Sequence, residues 1–99
     1  MTPEGKVKQQ CKRLLEDVGA YYYMPVQNGM GVVGVPDIIA CVDGKFLAIE
    51  TKAPGKLKNV TANQQNQIDK INAAGGTAVA LDDPAELVKL LLLTRSQDQ

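Results

Sequence analysis

The amino-acid sequence predicts a mixed α/β domain in which helices flank one β-sheet, with its elements in the order α-β-β-β-α-β-α. Apolar residues recur at helical spacing near the start of the chain, and helix-capping sequences open two later segments. Segments rich in branched residues lie between these helices, bounded by glycine, proline and aspartate. Ninety-nine residues are an ordinary length for one domain, so we assign residues 1–99 to a single domain.

The first helix is predicted from its start, its apolar stripe and its end. Thr2 is a capping residue, Pro3 suits the first helical position, and Glu4 places an acid in the first turn. One apolar stripe follows at Val7, Cys11, Leu14, Leu15 and Val18. Gly19 then supplies a stop.

Three strands are predicted next, over residues 20–26, 32–42 and 45–53. A flexible, glycine-containing segment, residues 27–31, separates the first two strands. The Asp43-Gly44 pair between the second and third strands is typical of a two-residue hairpin turn. These strands are therefore expected to include an antiparallel hairpin.

The second half of the chain is predicted to form a helix, a strand and a helix. Thr61-Ala62-Asn63-Gln64 is a capping-box sequence that opens a helix running to about Ala74. Residues 77–81 form a short apolar strand. The last helix begins after Asp83 and continues to about Leu93.

The composition excludes several chemistries and locations. The chain has no histidine, which removes Ser-His-Asp and Cys-His nucleophiles and most catalytic zinc sites. The isolated Cys11 and Cys41 are expected to be small buried hydrophobes in a reducing compartment. No signal peptide and no apolar stretch of membrane-spanning length is visible, so we expect a cytoplasmic protein.

The hairpin aligns two acids. A turn at Asp43-Gly44 pairs residues whose numbers sum to 87, so Asp37 faces Glu50. Facing side chains lie about 5 Å apart, and two carboxylates there need a cation or a shared proton. Because the surrounding residues are apolar, a metal is the simplest explanation, and two oxygen donors suit Mg²⁺ or Mn²⁺.

Other polar residues are expected near this pair. Lys52 lies two residues after Glu50, on the same face of the strand. Glu4 and Gln64 lie on the apolar sides of their helices and so point toward the sheet.

Structural explanations remain open for each residue taken singly. Asp37 follows a proline and could end a turn, and Glu50 with Lys52 could be a solvated pair at a sheet edge. Gln64 has a sufficient role as the capping-box partner of Thr61.

The motifs around the two acids resemble a known nuclease signature. Gly34-Val35-Pro36-Asp37, followed by a hairpin and Glu50-Thr51-Lys52, resembles the PD-(D/E)xK motif. More narrowly, the chain resembles a small stand-alone VRR-Nuc domain, similar to Holliday-junction resolvases. That narrower likeness is carried by Glu4 in the first helix, Asn28-Gly29 before the motif, and Thr61 with Gln64 after it.

The resemblance implies a restriction-endonuclease-like fold and a role for each motif residue. Asp37 and Glu50 would bind Mg²⁺ or Mn²⁺, with the Thr51 carbonyl as a third ligand and Glu4 as a direct or water-mediated ligand. Lys52 would be the catalytic lysine, and Gln64 would orient the site. Ile68 stands where some related nucleases carry a tyrosine, which weakens the assignment of Gln64.

The basic residues favour a phosphate-bearing partner. Eight of the eleven lysine and arginine residues flank the expected site. Those that we assign to DNA binding are Lys6, Lys8, Lys12, Arg13, Lys56 and Lys58. These residues could instead lie on the solvated faces of a helix and a loop. The run Tyr21-Tyr22-Tyr23 could stack on bases or fill the strand.

The acids, the lysine and the basic residues therefore predict a metal-dependent DNA endonuclease, and the resemblance implies a bacterial or phage-infected cell. Leucines surround more than one face of the last helix, so we expect a homodimer that buries it. Two symmetric sites would suit branched DNA such as a four-way junction. The alternative is a non-catalytic module that keeps the fold and binds nucleic acid or assembles with partners.

Overall fold

The computed structural model describes residues 1–27 and 31–96, with side chains described to Thr94. The helices and strands follow the predicted order: α1 (Pro3–Asp17), β1 (Tyr21–Tyr23), β2 (Ile38–Val42), β3 (Lys45–Thr51), α2 (Ala62–Ala73), β4 (Thr77–Leu81) and α3 (Pro84–Ser96). A short 3₁₀ turn, Leu57–Asn59, precedes α2. The predicted mixed α/β order is confirmed.

The four strands form one sheet in the order β1-β2-β3-β4. β1 pairs with β2 and β2 with β3 in antiparallel fashion, whereas β3 and β4 are parallel. The hairpin register runs from Val42↔Lys45 to Ile38↔Ile49, as predicted. Asp43 (φ 51°) and Gly44 (φ 80°) both have positive φ, which is the geometry of the primed turn that matches strand twist.

One face of the sheet is covered by α1 and α3. Its core joins the α1 stripe and the inner leucines of α3 to alternate residues of the strands: Val7, Cys11, Leu15, Ile38, Ala40, Val42, Leu47, Ile49, Leu81, Leu87 and Leu91. Tyr22 packs against this core from β1.

The opposite face carries α2, which covers only part of the sheet. Ile68 of α2 packs on Ala48 of β3 and Ala78 of β4, with Ile39 at the border of the cluster. The β1 end of this face has no helix above it among the described residues, and Tyr21 and Tyr23 are exposed there. The half of the sheet beyond α2 is therefore open.

The predicted helix boundaries hold better than the strand boundaries. Thr2 and Thr61 cap α1 and α2 as predicted, and β4 has the predicted bounds. The first three strands are shorter than predicted, because local composition marks extended backbone but pairing needs a neighbouring strand. The segment 27–31 of the sequence prediction lies partly outside the described residues, and α3 continues past Leu93 to Ser96.

The two cysteines differ. Cys11 is buried, and this burial raises the pKa of its thiol to about 11. The prediction that Cys41 is buried is wrong, because it points to the open half of the sheet, beyond the reach of α2.

No helix in the described part of the chain is both long and apolar enough to cross a membrane. α3 nevertheless keeps apolar side chains in solvent, among them Val88, Leu92 and Leu93.

Candidate active site

A cleft of about 420 Å³ lies at the end of the sheet where β2 begins and β3 ends. The first turns of α1 and α2 and the segment before β2 form its walls. Its lining residues are Glu4, Gln27, Val33, Gly34, Val35, Asp37, Glu50, Lys52, Thr61, Asn63 and Gln64. Five of the predicted site residues thus meet in one cavity: Glu4, Asp37, Glu50, Lys52 and Gln64.

Glu50 is a buried carboxylate near the end of β3, with only 2% of its surface exposed. Its Oε2 accepts a hydrogen bond from Gln64 Nε2 at 3.1 Å and lies 3.6 Å from Lys52 Nζ. Its Oε1 is buried and has no hydrogen-bond partner among the described residues. Glu50 is therefore held on one side only.

The environment of Glu50 disfavours its charge. Burial raises the pKa of the Glu50 carboxyl to about 7, and the negative charges of Asp37 and Glu4 add to the rise. The Lys52 ammonium acts in the opposite direction and does not cancel it. The ammonium beside this buried carboxylate therefore does not fully compensate its charge.

Asp37 lies one residue before the last ladder pair of the hairpin, at the mouth of the cleft. Its Oδ2 accepts two hydrogen bonds from Thr51, from the backbone N–H at 3.0 Å and from Oγ1 at 2.8 Å. Its Oδ1 lies 3.8 Å from Lys8 Nζ on α1. Thr51 thus positions one oxygen of Asp37, and the other lies beside a lysine of α1.

Gln64 has both of the roles that the sequence left open. Its backbone N–H donates to Thr61 Oγ1 at 3.1 Å, and its Oε1 accepts from the Thr61 N–H at 2.9 Å, which completes the capping box. The same side chain donates through Nε2 to Glu50. The helix cap therefore orients an amide that in turn orients the carboxylate.

Gly34 places the segment before β2 directly against the first turn of α2. A Cβ at this position would lie 2.5 Å from the Asn63 backbone carbon and 2.8 Å from the Gln64 nitrogen. Gly34 also has φ +82°, which other residues rarely adopt. On the other side, Gln27 Nε2 donates to the Val35 carbonyl at 3.0 Å.

The predicted DNA-binding residues do not form one patch. Lys8 lies beside Asp37, and Lys6 lines a neighbouring groove with Gly55, next to the exposed Lys56. Lys58 is exposed in the 3₁₀ turn, and Lys12 is half-buried one helical turn after Lys8. Arg13 lies away from the cleft, on a groove shared with Asp17 and Asp83.

Several functional contacts were not foreseen from the sequence. Gln27 and Asn63 line the cleft, and Lys8 pairs with Asp37 itself. Lys8 follows Glu4 by one helical turn, so their shared helix face was a signal that could have placed it here. Asn28-Gly29, part of the predicted motif, lies outside the described residues.

The side chains present are suited to a hard divalent cation. Glu50 Oε1, which no described residue hydrogen-bonds, and the nearby Asp37 carboxylate are oxygen donors of the kind that Mg²⁺ or Mn²⁺ takes while keeping several waters. No group of three or more His, Cys, Asp and Glu side chains within residues 1–27 and 31–96 is arranged to hold a metal. Glu4, predicted as a direct or water-mediated ligand, lines the same cleft.

Comparisons with known proteins give a likeness of fold. No family model and no curated protein matches the sequence. A solved structure named "VRR_NUC domain" has a TM-score of 0.77 and 21% sequence identity, over 92% of this chain and 96% of that one. A "VRR_NUC domain protein" has a TM-score of 0.69 and 19% identity, over 90% of this chain and 84% of that one. The chain therefore has the fold of the VRR_NUC domain.

Proposed function

We propose that this chain is a metal-dependent nuclease that hydrolyses phosphodiester bonds of DNA. The observation that carries the proposal is the buried Oε1 of Glu50, which has no hydrogen-bond partner in the described part of the chain and lies beside Asp37 and Lys52 in an open cleft. A carboxylate buried without a full set of partners destabilises a fold, and its position is explained if a cation binds there. The VRR_NUC fold supports the same chemistry.

Each residue has a distinct task in this proposal. Asp37 and Glu50 would hold Mg²⁺ or Mn²⁺, with the Thr51 carbonyl and a water on Glu4 as further ligands. The metal, when bound, supplies a Lewis acid and lowers the pKa of bound water. Lys52, 3.6 Å from Glu50, orients the attacking water, and Gln64 keeps Glu50 in place.

Lysines near the cleft would receive the DNA backbone. Lys8 neutralises Asp37 at 3.8 Å, and it is free to turn toward a phosphate once a metal takes over that role. The remaining contacts in the proposal are the exposed or half-buried basic residues Lys6, Lys12, Arg13, Lys56 and Lys58. Because they meet phosphates rather than bases, recognition would depend on DNA shape more than on sequence.

The cleavage test uses four-way-junction, flap and linear duplex DNA with Mg²⁺ or Mn²⁺. Wild type is expected to cut branched DNA fastest. Asp37→Ala, Glu50→Ala and Lys52→Ala should each reduce the rate by at least about 100-fold, since each removes a charge from the reacting centre. Lys70→Ala, an exposed lysine on the distal part of α2, is the matched control and should leave the rate unchanged.

Two outcomes would contradict the proposal. Equal rates in all of these proteins would refute the assigned site. Junction binding by wild type with no cleavage under either metal would favour a non-catalytic nucleic-acid-binding module.

We further propose a homodimer formed through α3. Leu93 is 61% exposed, and Leu92 and Val88 are also exposed, on a helix that already buries Leu87 and Leu91 in its own core. An apolar face of this kind on a small protein favours a subunit interface. Two related active sites would match the symmetry of a four-way junction.

Light scattering after size exclusion tests the dimer. Wild type is expected at twice the 10.6 kDa chain mass, and Leu93→Glu should shift it to the single-chain mass. Ala73→Glu, an exposed position near the end of α2, is the control and should remain dimeric. A wild-type protein at the single-chain mass at all concentrations would rule the dimer out.

A further inference from the structure

An exposed aromatic row crosses the open half of the sheet, on the face that bears α2. It consists of Tyr21 (72% exposed), Tyr23 (51% exposed) and Phe46 (47% exposed), with Cys41 between Tyr21 and Phe46. Side chains alternate along a strand, and Tyr22 packs into the opposite core, so its two neighbours must point to the α2 side. The pairing of Tyr23 with Ile39, which packs near Ile68 of α2, agrees with this orientation.

The row lies on the same side of the sheet as the candidate active site. Asp37 and Glu50 continue the alternation of Ile39 and Ala48, so all four belong to the α2 side. Tyr23 lies about 7 Å along the ladder from the level of Asp37, and Tyr21 lies about 13 Å from it. The chain after β1 then leads to Gln27 in the wall of the cleft. The tyrosines thus form a track that ends at the cleft.

We propose that Tyr21 and Tyr23 stack on unpaired bases of the nucleic-acid strand whose backbone enters the cleft. This inference rests on the proposed function and narrows its substrate class to branched DNA that has a single-stranded segment beside the cleaved phosphate, such as a flap, in preference to a fully paired four-way junction. Aromatic side chains on an open sheet face offer flat surfaces to bases, and every base has a face to stack. Paired bases inside a duplex hide those faces, so duplex DNA would gain nothing from the row.

The composition of the row favours a base over a protein surface. The described residues of the row are aromatic or small, and none of them carries a carboxylate that would repel a polyanion. The row also leads to the cleft in which the proposed function places the phosphate. A second copy of this chain is the alternative occupant and would bury the same tyrosines. The test therefore also measures the oligomeric mass.

The test uses tyrosine fluorescence, because the chain has three tyrosines and no tryptophan. Titration with oligothymidylate in EDTA, which prevents metal-dependent cleavage, should quench the emission. Fluorescence anisotropy should show that Tyr21→Ala and Tyr23→Ala each weaken oligothymidylate binding about tenfold, while Tyr21→Phe and Tyr23→Phe retain it. Binding to a blunt duplex should stay unchanged in all variants. Tyr22→Phe, on the opposite face, is the matched control and should bind as wild type does.

The outcomes separate this inference from the proposed function. If the alanine variants bind oligothymidylate as tightly as wild type while Mn²⁺-dependent cleavage is intact, the inference is wrong and the nuclease proposal stands. If oligothymidylate binding depends on the tyrosines but no DNA is cleaved, the stacking surface stands and the nuclease proposal fails. If the alanine variants instead change the oligomeric mass and leave oligothymidylate binding unchanged, the row is a subunit interface and the inference is wrong.

Discussion

Replacing Glu50 with glutamine is expected to raise the free energy of unfolding of the metal-free protein at pH 8 by about 3 kcal/mol. The pKa of this carboxyl rises from 4.5 to about 7 in the folded protein, because the side chain is buried beside Asp37. Because the pKa is raised in the folded protein, the protonated Glu50 carboxyl contributes its full stabilisation below pH 4.5. This contribution is lost as the pH rises through 7, where the buried carboxyl ionises. Glutamine stays neutral and avoids that loss.

Urea unfolding at pH 5 and pH 8 measures this difference. The variant should be more stable by a small margin, about 1 kcal/mol, at pH 5 and by the full difference at pH 8. Glu86→Gln, an exposed carboxylate on α3, serves as the control and should follow wild type at both pH values. A Glu50→Gln protein less stable than wild type at pH 8 would show that the charged side chain is well compensated without metal.

Gly34→Ala is expected to destabilise the protein by at least about 3 kcal/mol. Two effects add at this position. The backbone has φ +82°, which costs a non-glycine residue about 1 kcal/mol, and the new Cβ would lie 2.5 Å from the Asn63 backbone carbon. The first turn of α2 would have to move, and with it the Gln64 amide that orients Glu50.

Gly44→Ala separates the two effects. Gly44 has φ +80° in the hairpin turn, and a Cβ there would meet no atom of the described residues within 4 Å. We expect it to cost only about 1 kcal/mol, the backbone part of the penalty. Thermal and urea unfolding measure the loss of stability in the two variants. Similar losses of unfolding free energy in both would show that the contact between Gly34 and α2 is not tight.

The pairing of the two acids could be predicted because it depends on local chemistry. The Asp43-Gly44 turn sets the register of every pair in the hairpin, so the placement of Asp37 near Glu50 needs no knowledge of the rest of the fold. The caps at Thr2 and Thr61 are equally local, since each hydroxyl bonds a backbone N–H three residues on.

The contacts between distant elements could not be predicted in the same way. Lys8 shares a helix face with Glu4, but its contact with Asp37 depends on where α1 packs against the sheet. The exposure of Cys41 depends on how much of the sheet α2 covers. A short stretch of sequence determines neither the contact between Lys8 and Asp37 nor the exposure of Cys41, because each depends on how whole helices and strands are placed relative to one another.

The most direct test of the central claim, that Asp37 and Glu50 together hold a divalent metal, is a calorimetric titration of metal-free protein with Mn²⁺ at pH 8. Wild type should bind Mn²⁺, whereas Asp37→Asn and Glu50→Gln should each weaken binding at least about tenfold, because each removes a charged ligand. Asp69→Asn, an exposed acid on α2, should bind as wild type does. Absence of Mn²⁺ binding to wild type, or unchanged binding in both site variants, would contradict the claim.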